Sequence, residues 1–236
     1  MLQEDLFRSG ELLLPTTPPE AAAPVETVPL SVTILVVATV LLFLLTIRGF
    51  LNVLPYLRDS ISRARGSAAL ENSVKVSRDR NLVAAVCLLP AIVLAYRYRL
   101  YDPVFIRDLD PDFRLLAVAG AILGFLLLRY LLYRWMMPRR RYDDYQMAYR
   151  VGHTYLILLM MLALLTVGVH YVIGSDDLMI KRFLLVETGL TYLMYLLRRA
   201  QILSTSCNTL TTFLYLCGLE LLPAALLVGS AVIPAG

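Results

Sequence analysis

The residues of this 236-residue chain that are most able to take part in chemistry are a few ionisable side chains inside long apolar stretches. A charged group in such surroundings loses its hydration, so it requires a partner, a proton or a function. Glu220 is the clearest case, because it stands near the middle of the last apolar stretch, three residues before Pro223. Its carboxyl group could carry a proton during transport, or it could pair with an arginine and hold neighbouring helices together.

Two further residues bear on this carboxyl group. Pro223 lacks the N–H that would bond to the carbonyl of Leu219, which predicts a distorted helix close to Glu220. Arg129 lies about two turns before the end of another apolar stretch. It is most simply interpreted as a side chain that reaches the membrane surface, and the alternative is a partner of Glu220 if their helices touch.

His170 and Glu187 flank a turn at residues 174–177. In an antiparallel helical hairpin they would lie at a similar depth, which predicts either a hydrogen bond between them or an interfacial polar pair that touches lipid headgroups.

Several cofactor chemistries are not supported. The only two histidines, His153 and His170, fall on the same predicted helix, roughly 25 Å apart along its axis, so they cannot ligate a haem between two facing helices. The sequence has no H-E-x-x-H zinc motif and no phosphate-binding glycine loop. The cysteines, Cys87, Cys207 and Cys217, form no C-x-x-C pair. We therefore predict no cofactor and no metal, and we do not expect an enzyme, although the residues leave that point open.

The elements that position these residues are predicted to be membrane-spanning helices. Hydrophobic residues make up 58% of the chain, and its mean hydropathy is +0.68. Inside a bilayer every backbone polar group must be satisfied internally, so apolar stretches of spanning length must be helical. The prediction is an all-α, polytopic bundle of about six spans, with five as the alternative, over residues 30–47, 82–96, 113–135, 151–173, 183–197 and 209–232.

The distribution of basic residues predicts the orientation of this bundle. The segments after spans one, three and five hold about fourteen of the 22 Lys and Arg residues, against about seven on the other side. By the positive-inside rule, both termini lie outside the cytoplasm. Residues 48–81 are accordingly a basic cytoplasmic loop of the membrane domain at 30–236. Residues 1–29, with four prolines before residue 25 and five acidic side chains, are predicted to be a flexible acidic tail.

A short run in the last span resembles a known family. The residues Leu214-Tyr215-Leu216-Cys217-Gly218-Leu219-Glu220-Leu221-Leu222-Pro223 are similar to the C-terminal signature of an integral-membrane family of Bacteroidota that is classified only as a domain of unknown function. Gly218 departs from that pattern, which has a bulkier or polar residue there. The resemblance implies a multi-pass protein of the bacterial inner membrane, and it implies no activity.

The sequence also predicts a surface for helix packing and the kinds of partner that the protein has. Gly120-x-x-x-Gly124 gives span three a smooth face for close approach by another helix, within the chain or in a partner or second copy. The pI of about 9.0 reflects the arginines at the membrane surface and indicates no nucleic-acid partner. Besides the lipid bilayer, we therefore expect a membrane-protein partner or a homo-oligomer. The leading hypothesis is a non-enzymatic scaffold or accessory subunit of an envelope complex, and the alternative is a small proton- or ion-linked transporter that uses Glu220.

Overall fold

The structure is a computed structural model that describes residues 30–62, 74–107, 109–136, 142–206 and 208–232. Every regular element in these ranges is helical, which confirms the all-α class. The predicted acidic tail at residues 1–29 lies outside the described residues. The helices are α1 (Leu30–Ser62), α2 (Val74–Arg97), α3 (Val104–Arg107), α4 (Pro111–Met136), α5 (Tyr142–Ile173), α6 (Asp177–Ser206), α7 (Thr209–Leu216) and α8 (Leu222–Val232), with a π-helical turn at Cys217–Leu221 between the last two.

Within the described ranges, five helices are long and apolar enough to cross a membrane. They are α1, α2, α4, α5 and the continuous C-terminal helix that α7, the π-helical turn and α8 form together. The chain is thus built as a membrane protein. Helix α6 is as long as its neighbours, with 30 residues. It is absent from the five because Glu187 and the basic pairs near its two ends interrupt its apolar run.

The spans predicted over residues 82–96 and 183–197 are extended by segments that contain charged residues. Helix α2 begins at Val74 rather than at residue 82, and α6 runs through Arg198 and Arg199 to Ser206. Helix α1 likewise continues through Pro55 to Ser62. The loop predicted over residues 48–81 is therefore much shorter, because residues 48–62 and 74–81 are helical, and residues 63–73 lie outside the described part of the chain.

Two helical hairpins pack around a shared apolar core. Helix α1 packs against α2, α5 packs against α6, and the hairpins meet where α2 contacts α5. Their shared apolar core contains Val53, Val83, Ile157 and Leu184, one residue from each of these four helices. Burial of such side chains is the main stabilising contribution wherever the helices face one another rather than lipid.

A second core, rich in tyrosine, joins α4 and the C-terminal helix to α5 and α6. It contains Tyr133 of α4, Tyr155 of α5, Tyr195 of α6 and Tyr215 of α7. Tyrosine brings a large ring and a hydroxyl group that needs a hydrogen-bond partner when buried. The hydroxyl of Tyr215 accordingly donates to the carbonyl of Met136 at the end of α4. This core surrounds the polar cluster described below.

The C-terminal helix is shaped by two local features. Asn208 caps its start, since its side chain accepts a hydrogen bond of 2.8 Å from the backbone N–H of Thr209. The distortion predicted beside Pro223 takes the form of the π-helical turn, in which the N–H of Leu222 donates to the carbonyl of Cys217. The wider turn lies directly before the proline and carries Glu220 at its inner side.

Candidate functional site

Glu220 is enclosed by two arginines from different helices. Its Oε1 accepts from Nε of Arg129 on α4 at 3.0 Å, and Nη1 of Arg199 on α6 contacts the same oxygen. The side chains of Glu220 and Arg199 are only 1% and 2% exposed, and that of Arg129 is 16% exposed. Of the two interpretations of Arg129, the structure shows the pairing with Glu220. The carboxylate therefore ties α4, α6 and the C-terminal helix together.

Two tyrosines of α6 complete the cluster around this carboxylate. The Tyr195 hydroxyl accepts hydrogen bonds from Arg199 Nη1, at 2.7 Å, and from Arg129. The Tyr192 hydroxyl donates to the backbone carbonyl of Glu220 at 3.0 Å. The guanidinium carbon of Arg129 also lies 5.1 Å from the centre of the Tyr195 ring, within the range of a cation–π contact. Each ionised group in the cluster is thus hydrogen-bonded, which offsets part of the cost of its burial.

Helical spacing explains why these α6 residues converge. Tyr192, Tyr195 and Arg199 are separated by three and then four positions, so they lie on one face of α6. The facing position on α5 is Gly152, whose missing side chain leaves room for the Arg129 guanidinium. We call these six residues the Arg–Glu–Tyr cluster: Arg129, Gly152, Tyr192, Tyr195, Arg199 and Glu220.

Sequence reasoning identified only two members of this cluster, Glu220 and Arg129. Arg199 was counted solely as an orienting charge beyond the end of the fifth span, because the helix was predicted to stop near residue 197. The signal that could have found it is the spacing of Tyr192, Tyr195 and Arg199 on one helical face. Gly152 carries no recognisable sequence signal, since its role depends on which side chain faces it.

A second polar group adjoins the cluster along α5. Asn81 Oδ1 accepts from Nη2 of Arg80 at 3.2 Å and lies 3.0 Å from Nδ1 of His153. The His153 ring makes an edge contact with Tyr149, whose ring also lies below the Arg129 guanidinium at 5.9 Å. Polar side chains of α2, α5, α4 and α6 therefore follow one another across the bundle at one level.

His170 and Glu187 are not hydrogen-bonded to each other, so that alternative is wrong, while contact of these side chains with lipid headgroups stays a prediction. His170 Nδ1 lies 2.9 Å from the hydroxyl of Ser175, and its ring centre lies 4.9 Å from that of Phe183. Both carboxylate oxygens of Glu187 instead lie 3.3 Å from the Thr166 hydroxyl. His170 is level with Phe183, whereas Glu187 is level with Thr166, so the two side chains lie about one helical turn apart along the hairpin rather than at the same depth.

The glycines of span three face outwards. Among the described residues, nothing lies within 4 Å of a Cβ placed on Gly120 or Gly124, so none of the described helices packs against that face. Gly218, the departure from the family pattern, faces Met136, and an added Cβ would make an ordinary contact of 3.7 Å with its methyl group. The residue therefore affects packing between α4 and the C-terminal helix.

Neither grouped metal ligands nor similarity to known proteins assigns a role to the described residues. No three His, Cys, Asp or Glu side chains among the described residues are grouped closely enough to hold a metal ion. Comparison with protein-family models, curated proteins and solved structures found no match to this chain. The geometry of the chain's own residues is thus the basis for any statement of function.

Proposed function

We propose that the protein is a six-span, non-enzymatic membrane protein that serves as a scaffold or accessory subunit of a membrane complex. The observation that carries the proposal is the enclosure of Glu220 by Arg129 and Arg199. A buried ion-pair network that draws its members from three helices favours one arrangement of those helices over others. A bundle held in one arrangement presents an outer surface of fixed shape on which a partner can bind. The open face at Gly120 and Gly124 is one such surface.

The packing of α6 supports a sixth span. Its residues meet those of α5 at three successive levels: Tyr155 with Tyr195, Thr166 with Glu187, and His170 with Phe183. Helix α6 thus returns antiparallel to α5 along most of its length, and α5 is long enough to cross a membrane. An even number of crossings leaves both termini on one side, and the distribution of Lys and Arg favours the outer side.

A proton- or ion-linked transporter is the second candidate, favoured by the π-helical turn that carries Glu220. Such turns recur at functional sites. The ion pairs weigh against this candidate, because two guanidinium groups in contact with the carboxylate favour its ionised form and so oppose protonation. Glu220 is also only 1% exposed. The scaffold is therefore the function that the geometry supports better.

The test replaces Glu220 with Gln in the native host. Growth, protein abundance and the size of the detergent-solubilised assembly are followed together, with Asp177→Asn as the control because Asp177 forms an exposed pair with Arg97. We expect Glu220→Gln to lower abundance and to reduce the assembly. Loss of function at normal abundance and normal assembly size would instead support transport. A wild-type protein that is always a free monomer would contradict the scaffold proposal.

A further inference from the structure

The hairpin of α5 and α6 has an open groove on its outer surface. The groove has a volume of about 390 Å³, and most of its lining is apolar. Its exposed apolar residues include Leu162, Phe183, Val186, Leu190 and Met194. The wall from Phe183 to Met194 is about 17 Å long by the helical rise, which is about three turns of a helix.

A carboxylate interrupts this apolar surface. Glu187 lines the groove together with the hydroxyl residues Thr166 and Thr191. A threonine hydroxyl has one proton to donate, so Thr166 can satisfy only one of the acceptor positions on the two Glu187 oxygens. None of the ion pairs among the described residues includes Glu187, in contrast to Glu220 with its two arginines. The groove thus has an excess of negative charge and acceptor capacity.

Glu187 lies far from the ends of α6, where a carboxylate without a charged partner is unusual in a membrane protein. It lies ten residues from the start of α6, about 15 Å along the helix axis and so well below the helix end. An ionisable side chain at such a position in a membrane protein almost always pairs with another group. The cationic part of a phospholipid lies in the headgroup region, whereas a basic residue on another transmembrane helix can be placed at any depth.

We propose that this groove binds a transmembrane helix of a partner protein that presents a lysine or arginine to Glu187. The inference rests on the proposed function as an accessory subunit, and it adds the surface and the chemistry of the partner. The apolar walls accept the body of the helix, and the carboxylate selects a cation. Opposite charges at a helix–helix contact supply specificity that apolar packing against lipid does not.

The experiment uses the full-length protein in phosphatidylcholine vesicles and two synthetic transmembrane peptides. Both are leucine–alanine helices of about 20 residues, and they differ only in a central Lys or Leu. Binding is measured by energy transfer between labelled peptide and labelled protein. We expect the Lys helix to bind about tenfold more tightly than the Leu helix, the size of an interhelical polar contact in a bilayer.

Three variants identify the source of that preference. Glu187→Gln should make the two peptides bind equally, whereas Asp177→Asn, which removes a carboxylate of the same helix outside the groove, should leave the preference unchanged. Leu190→Trp keeps the carboxylate but fills the groove, so it should weaken binding of both peptides. Equal binding of the peptides to the wild type, or an unchanged preference in Glu187→Gln, would overturn the inference.

A second measurement separates this inference from the proposed function. In the native host, the assembly that contains the wild-type protein should be lost or reduced in Glu187→Gln while the abundance of the variant stays normal. If the assembly persists in Glu187→Gln, the groove proposal fails and the scaffold proposal stands. If the wild type forms no assembly, the scaffold proposal itself fails, and the peptide preference still tests the chemistry of the groove.

Discussion

A Cβ atom added to Gly152 would lie 3.1 Å from Nη2 of Arg129. This distance is shorter than ordinary van der Waals contact between carbon and nitrogen, so any larger side chain must displace the guanidinium. That group cannot move freely, because its Nε is held by Glu220 and another nitrogen by Tyr195. A glycine on α5 thus helps to place the arginine that neutralises a carboxylate on the C-terminal helix.

We predict that Gly152→Ala destabilises the protein by about 1–3 kcal/mol, the usual range for overpacking of a tight contact. Gly168 lies on the same helix with nothing within 4 Å of its Cβ position, so Gly168→Ala is the matched control. Gly168→Ala should be neutral or stabilising by up to about 1 kcal/mol, because alanine favours the helix over glycine and meets no neighbour there. Unfolding in mixed micelles, followed by circular dichroism, measures both. Equal effects would refute the role assigned to Gly152.

The ion pairs of Glu220 predict a large effect of neutralising it. Glu220→Gln leaves the buried guanidinium of Arg199 and the partly exposed one of Arg129 without their carboxylate, which should cost about 3–5 kcal/mol of unfolding free energy. Arg129→Gln should cost less, because Arg199 still pairs with Glu220 and Arg129 is partly exposed. In a double-mutant cycle of Arg129 and Glu220, we expect a coupling of about 1 kcal/mol or more. Strict additivity of the two substitutions would argue against their interaction.

The two tyrosines of the cluster should differ in their contribution. Tyr195→Phe removes an acceptor from two arginines, so it should cost about 1–3 kcal/mol, as for hydrogen bonds that involve charged groups. Tyr192→Phe removes one hydrogen bond to a neutral carbonyl and should cost only about 1 kcal/mol. The same unfolding experiment ranks the two variants. A larger loss for Tyr192→Phe would show that the carbonyl of the π-helical turn depends more strongly on its donor than the arginines do on theirs.

The ion pairs outside the cluster differ in how far their side chains are exposed to solvent, and their contributions to stability should differ accordingly. Asp102 pairs with Arg107 at 3.3 Å and Arg114 at 3.0 Å, and its side chain is 13% exposed. Asp177 pairs only with Arg97 among the described residues, and both side chains are more than half exposed. We expect Asp102→Asn to cost about 1 kcal/mol or more and Asp177→Asn at most about 0.5 kcal/mol, since solvent screens exposed pairs. Thermal unfolding of the two variants at low salt measures the difference.

The sixth crossing is tested by labelling from one side of the membrane. Single cysteines replace Asp176, in the turn between α5 and α6, and Ser204, near the far end of α6, after Cys87, Cys207 and Cys217 are changed to serine or alanine. The maleimide is chosen so that it reaches the outer face of the membrane that holds the protein but does not cross that membrane. In intact cells Asp176→Cys should react at once, because the positive-inside rule places that turn outside. Ser204→Cys should react only after the membrane is opened. Reaction of both cysteines from one side would show that α6 does not cross.

The sequence by itself determined that this chain is helical, because a bilayer leaves an apolar segment of spanning length no other way to satisfy its backbone. It also identified Glu220 and Arg129, since a charge in an apolar stretch is costly whatever surrounds it. The distortion next to Pro223 followed from a missing N–H group. Each of these inferences depends on local chemistry or on the solvent, and none requires knowledge of which helices are neighbours.

Only the tertiary structure decided which helix faces meet. In a water-soluble protein, polar and apolar faces reveal the rotation of a helix, but in a membrane protein lipid and protein interior are both apolar, so the pattern is nearly uniform around the axis. For this reason Tyr195 and Gly152 were not recognised as neighbours of Arg129 and Glu220, whereas Arg199 was missed because the predicted helix ended before it. The mistaken pairing of His170 with Glu187 has a related cause, because the axial register of α5 against α6, which places these two residues about one turn apart, is also set by packing and is not encoded in the apolar pattern.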